Sequence, residues 1–227
     1  MQSVSQIISQ FGKLLLAVLL LSSANLSKAQ DSDPDALKLL KQLRETYSSF
    51  ESMSMDFELV IEDLENNSTE SREGTLMLRG ESFKLSLDDQ VIYCDNERIW
   101  TFLPDVCEVQ IDNFAHEDGD FISPSTLFDI PEEDYFAILG EGKVQEGRKI
   151  QVVELTPLDK ELSFHKIKLN VDLGSRRIHS AEILDKNGIH FTYGIDDFKG
   201  PANLSAEDLG FKASECGEDL ITIDVSR

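Results

Sequence analysis

The sequence predicts a mainly β fold with covering helices, α+β in class: a single domain on a strongly curved antiparallel sheet or partial barrel of about ten or eleven strands. Three observations predict it. From Met53 almost to the C-terminus, apolar residues recur at every second position in short segments bounded by turn residues. One long stretch ahead of them has helical spacing instead. No βαβ rhythm, tandem repeat, low-complexity tract or Gly/Ser linker marks a second domain.

In chain order, residues 1–29 read as a signal peptide. Lys13 precedes the apolar run Leu14 to Leu21, and small residues with Ser27-Lys28-Ala29 place cleavage after Ala29. The run is shorter than the roughly 20 residues of a membrane-spanning helix, so residues 30–227 are expected as an exported, soluble domain. No cysteine lies near the cleavage point, so the chain is not expected to carry lipid itself. From Asp35 to Phe50, the residues Ala36, Leu37, Leu39, Leu40, Leu43, Tyr47 and Phe50 form one face of a helix, with Asp33-Pro34 as its cap and first-turn proline. The period then switches to two. Met53, Met55, Phe57, Leu59 and Ile61 point one way, and the acidic and hydroxyl residues between them mostly point the other.

Hairpins are expected from Gly74 to Arg79, Phe83 to Leu87, Val91 to Cys94, Ile99 to Leu103 and Val106 to Ile111. A second run comprises Lys149 to Thr156, His165 to Leu173, Arg177 to Leu184 and Ile189 to Ile195, with a shorter pair at Gly210 to Ala213 and Leu220 to Val225. Between the runs, a short helix is expected from Pro124 to Ile130, capped by Ser123 and ended by Pro131. A sheet with so few helices buries its concave face either by filling it with side chains or by leaving a cavity for an apolar ligand.

Charge and motifs exclude several functions. A formal net charge of −22 disfavours nucleic acid and anionic membrane surfaces as partners. GxSxG, HExxH, P-loop and GxGxxG patterns are missing, so no catalytic residue, cofactor or metal ligand is assigned. The four histidines are scattered; His165, in register with Ile167, Leu169 and Val171, is expected to face inward as a structural residue. Asp185-Lys186-Asn187-Gly188 reads as a hairpin turn. The three cysteines, Cys94, Cys107 and Cys216, have no CxxC spacing; export permits one disulfide, and the sequence leaves its pairing open.

GTLMLRGESFKL (Gly74 to Leu85), CDNERIWTFLPD (Cys94 to Asp105), SPSTLF (Ser123 to Phe128), VVELTP, FHKIKLNVD and GFKAS occur in the same order as landmarks of the LolA family of periplasmic lipoprotein carriers, which the chain resembles over nearly all of residues 30–227. The resemblance implies an unclosed antiparallel barrel of about 11 strands with an α-helical lid over a hydrophobic cavity, without enzymatic activity. It implies a periplasmic monomer that takes acylated lipoproteins from an inner-membrane ABC transporter to an outer-membrane acceptor. A lipid or glycolipid carrier, or an envelope-stress sensor on the same fold, is the alternative. Carried over residue by residue, the resemblance makes Arg79 the latch that hydrogen-bonds lid carbonyls. It makes Pro124, Leu127 and Phe128 the lid, and Met55, Phe57, Leu59, Phe83, Leu85, Trp100, Ile167 and Leu169 the cavity wall. Gly80 stands where the family has proline, and Glu81 is placed to capture Arg79 locally. A guanidinium suits the latch role because it offers five fixed donors and stays charged.

Overall fold

The computed structural model describes residues 31–114, 124–213 and 216–226. The expected signal peptide and the cap Ser123 lie outside the described residues. Among the described residues, no helix is long and apolar enough to cross a membrane.

The first helix, α1 (Pro34–Ser48), starts where the sequence places it: the Asp33 carboxylate accepts from Asp35 N at 2.9 Å and Pro34 occupies the first turn. Twelve strands follow: β1 (Met53–Asp63), β2 (Ser68–Arg79), β3 (Ser82–Leu87), β4 (Val91–Cys94), β5 (Arg98–Leu103), β6 (Glu108–Asn113), β7 (Tyr135–Gln145), β8 (Arg148–Pro157), β9 (Phe164–Asp172), β10 (Arg177–Asp185), β11 (Ile189–Lys199) and β12 (Ile221–Asp224). Among the described residues there are also two short helices, α2 (Pro124–Phe128) and α3 (Ala206–Leu209). The strands form one sheet in the order β12-β6-β5-β4-β3-β2-β1-β11-β10-β9-β8-β7, antiparallel throughout except where β12 runs parallel to β6. The two ends of the sheet do not meet, so the barrel is unclosed.

One face of the sheet carries the main core. Alternate residues of β1 (Met55, Phe57, Leu59), β2 (Leu76, Leu78) and β9 (Ile167, Leu169, Val171) are buried in one cluster with the apolar face of α1. The helix lies over β7 and β10 and touches α2. Tyr47 fixes one end of this packing, its hydroxyl accepting from Ile178 N at 2.7 Å. Burial pushes its phenol well above the usual tyrosine range. The opposite face of β4–β6 has its own smaller core. Tyr93, Phe102 and Val109 are covered there by Phe211, Leu220 and Cys216 of the C-terminal segment, which a Cys107–Cys216 disulfide ties to the sheet.

Several sequence expectations are corrected. Strand β7 has no counterpart in the expected list, because its turn-like flanks conceal an alternation that begins only at Tyr135 and Ala137. Gly210 to Ala213 is not a strand; Phe211 leaves the chain there to pack on Tyr93 and Phe102, with ring centroids 5.7 and 5.6 Å away. β6 begins at Glu108, after a 3-10 turn at Pro104–Val106 and a left-handed Cys107 (φ 51°). His165 is exposed: Leu184 pairs with Lys166 and Asp185 with Phe164, so a bulge skips His165 and turns Phe164 inward. Trp100 does not face the main core. It stands opposite Tyr93, and cross-strand partners share a face, so it joins the smaller core on the other side.

Gly74 has a particular role. It pairs with Phe57, and a Cβ at position 74 would come within 2.5 Å of the Phe57 ring and 2.8 Å of Ser86 O. The ring therefore occupies the space the glycine leaves. Gly74→Ala is expected to lower the urea unfolding free energy by about 1–3 kcal/mol, as overpacking in a filled core does. An unchanged midpoint would show that Phe57 moves aside freely.

Candidate functional site

The floor of the site is the centre of the sheet's inner face. Met55 and Phe57 of β1, Leu76 of β2 and Leu85 of β3 form one half, and Ile178, Ala181 and Ile183 of β10 with Tyr193 and Ile195 of β11 form the other. The roof is α2. Pro124, Leu127 and Phe128 close over the floor, and the space left is a cavity of about 60 Å³, room for no more than a few waters. Of the two ways of burying a concave face, the first is used: the interior is filled, and part of the filling is a five-residue helix. The hydroxyl of Tyr193 is the one polar side-chain group in this lining. The Tyr193 hydroxyl makes no hydrogen bond among the described residues, and burial alone raises its pKa.

Of the expected wall residues, Met55, Phe57 and Leu85 line the cavity, together with the expected lid residues Pro124, Leu127 and Phe128. Leu59, Phe83, Ile167 and Leu169 are buried in the surrounding core without reaching it. Trp100 is on the opposite face. Leu76 and the β10–β11 residues were missed; an alternation in register with Phe57 was the signal that could have found them.

The roof is held from α1. Phe128 packs edge-on to Tyr47, with centroids 4.8 Å apart at 68°. Arg44 donates from Nη2 to the carbonyl of Ile130, two residues beyond α2. Its Nε lies 2.9 Å from Asp129 Oδ1, an ion pair with no aligned hydrogen bond, and Nη1 lies 3.9 Å from Glu132. Arg79, expected in this role, is placed elsewhere: its Nη2 donates to Glu51 Oε1 at 2.8 Å. Among the described residues, neither Glu81 nor α2 takes it. Arg79 is the last residue of β2, and Gly80 (φ 59°) turns the chain there into β3. The cation on the lid therefore comes from the helix, at a position outside the apolar stripe by which that helix was recognised.

A pocket of about 390 Å³ lies outside the roof, between the C-terminal end of α1, the β2–β3 turn and α2. It shares Phe128 with the cavity, and its rim is polar: Arg44, Glu51, Glu81, Ser125, Thr126 and Asp129. Phe128 is the partition between polar mouth and apolar interior.

Cys94, the free cysteine, is buried beside Phe83 on the inner face. Burial pushes its thiol up to about 11, with the Asn96 amide working in the opposite direction. The folded protein thus keeps a proton that the unfolded chain loses near the ordinary value of 9.0. Stability from this group is present below that value and is lost as pH rises towards about 11. Native protein at pH 8 is expected to resist iodoacetamide while urea-unfolded protein reacts; rapid labelling of the native chain would show the thiol open to solvent.

An unclosed half-barrel with a capped apolar interior is the class that fold and site define. Residues 48–212 match the profile of the family described as Outer membrane lipoprotein carrier protein LolA, and the chain belongs to that family. No curated protein sequence matches it. Among solved structures it is similar to an uncharacterized conserved protein from Thermus thermophilus, at 10% identity and TM-score 0.52, covering 84% of this chain and 99% of that one. It is also similar to the lipoprotein LppX of Mycobacterium tuberculosis, at 12% identity and TM-score 0.47, covering 77% and 100%. A LolA-superfamily protein from Nitrosomonas europaea matches at 15% identity and TM-score 0.42, covering 78% and 97%.

Proposed function

We propose that the chain is an exported periplasmic carrier that binds the acyl chains of lipoproteins in its interior and shuttles them from the inner to the outer membrane. The observation that carries this reading is the roof: three apolar side chains of α2 occupy space over an otherwise apolar floor, and Arg44 and Tyr47 hold them there. Acyl chains are a chemically matched replacement, because each buried CH₂ contributes about 0.8 kcal/mol. A bond from a charged donor to a carbonyl is worth about 1.5–3 kcal/mol, so a few methylenes outweigh the hold on the roof. The apolar side chains of the roof, displaced as acyl chains enter, offset part of that gain, which suits a carrier that must release what it binds. Tyr193 supplies a donor for an ester or amide carbonyl at the head of the chains. An inner-membrane ABC transporter is the expected donor of cargo to this monomer, and an outer-membrane protein the acceptor.

Mass spectrometry of lipid extracts and tryptic peptides from protein purified under native conditions tests the reading. Acylated N-terminal peptides are expected. Recovery of free lipids alone would make this a lipid carrier, and failure to bind a fluorescent fatty acid would exclude both.

A further inference from the structure

Ile178 and Ile195 belong to two walls at once. They line the apolar cavity, and they also line a second cleft of about 260 Å³. Its other walls are Arg148 at the start of β8, Asp172, Ser175 and Arg177 around the β9–β10 turn, His179, and Asp196, Asp197 and Phe198 at the end of β11.

The charges in this cleft are unevenly matched. Arg148 Nη1 stands 3.5 Å from His179 Nδ1, and His179 Nε2 is 3.3 Å from Gln145 Nε2. The guanidinium of Arg177 lies 4.7 Å from the centroid of the Phe198 ring. Neither arginine takes part in an ion pair among the described residues. Asp172 feels the charge of Arg148, but its hydrogen bonds and those of Asp197 go to other groups. Asp172 accepts from Gly174 N at 2.8 Å and from Ser175 Oγ at 2.9 Å, and Asp197 pairs with Lys199 at 2.8 Å. Asp196 has no such partner among the described residues. The cleft thus mixes two guanidiniums with three carboxylates, and among the described residues neither guanidinium is ion-paired with any of them. A guanidinium fork matches the oxygens of a phosphate, and Asp196 matches a cation held next to it.

We propose that this cleft receives the phosphate of a phospholipid headgroup whose acyl chains enter the apolar cavity past Ile178 and Ile195, with Asp196 as the partner of a headgroup ammonium. The inference rests on the acyl-binding reading above and extends it to a second cargo, membrane phospholipid.

The test is competition against a fluorescent fatty acid bound to the full exported chain. The competitors are dioleoylphosphatidylethanolamine, dioleoylglycerol, which has the same chains without the phosphate, and inorganic phosphate. The phospholipid is expected to compete about tenfold better than dioleoylglycerol, the scale of one charge-assisted contact. Arg148→Glu and Arg177→Gln should each reduce that preference while leaving dioleoylglycerol unchanged. Arg148 is exposed, so its replacement keeps the fold and the first variant remains interpretable. Equal competition by the two lipids, or a preference untouched in both variants, overturns the proposal. Phosphate binding without lipid preference assigns the cleft to the free ion and overturns it too. Failure of the probe to bind at all overturns the acyl-binding reading, a result distinct from the other two.

Discussion

Arg44→Leu is expected to speed uptake of a fluorescent fatty acid by about tenfold and to raise its affinity by a similar factor. The guanidinium is the charged donor that reaches the chain just beyond α2, at Ile130 O, and it also pairs with Asp129. Its side chain is 38% exposed and that of Asp129 is 75% exposed, so the ion pair itself contributes little and the carbonyl bond carries the effect. Removing it leaves the roof without this charged donor, held by Phe128 on Tyr47 and by its apolar contacts with the floor, so the open state becomes more populated before any ligand arrives. The same change should slow onward transfer to an acceptor, because the closed state no longer competes with bound acyl chains. Arg79→Leu is the matched comparison: it removes a surface pair with Glu51, and uptake is expected to stay within about twofold of the wild type. Stopped-flow fluorescence on both variants decides between them. Acceleration by the Arg79 change and not by the Arg44 change would return the latch to the strand.

Cys216→Ser is expected to cost about 2–4 kcal/mol in urea unfolding and to free the C-terminal segment. The disulfide spans a sequence separation of 109, so the unfolded chain loses much conformational freedom when it is closed. Locally, little else holds the segment. All four residues of β12 are exposed, and its attachment is the ladder with β6, flanked by the bonds from Ile221 N to Cys107 O and Val225 N to Ile111 O, both 2.9 Å. Phe211 and Leu220 then lose the tether that keeps them over Tyr93 and Phe102. Hydrogen exchange should rise in residues 216–225 and stay low in α1 and β1. Equal protection in the two proteins would falsify the tether.

Much of the fold was legible because its elements are amphipathic and local. The helix from Asp33 to Ser48 has its cap, proline and apolar stripe in one window, and β1 shows five alternating apolar residues. β7 was not legible, since three glutamates and aspartates in a tight turn precede it and its outer half is exposed. The inward turn of Phe164 in place of His165 depends on a bulge set by pairing with β10, which no feature of β9 alone announces.

For the site, type of residue was easier to read than address. The apolar floor and the proline-led roof follow from pattern, and resemblance to the lipoprotein carriers supplied the notion of a latch. The identity of the latch did not follow, because an arginine's reach of several ångströms lets a helix position serve as well as a strand end. Trp100 shows the same limit: strand alternation says that Ile99 and Trp100 face opposite ways, and only the packing of Phe211 and the disulfide-tied C-terminal segment on one face shows which of them is inside. By itself the sequence determined a curved antiparallel sheet, its leading helix and a short proline-led cap, since these rest on periodicities of two and 3.6 within single segments. The tertiary structure alone decided that Arg44 holds the cap, that Cys107 bonds Cys216, and that the interior is filled by its own lid. Each of these depends on distances between segments far apart in the chain, which local spacing does not encode.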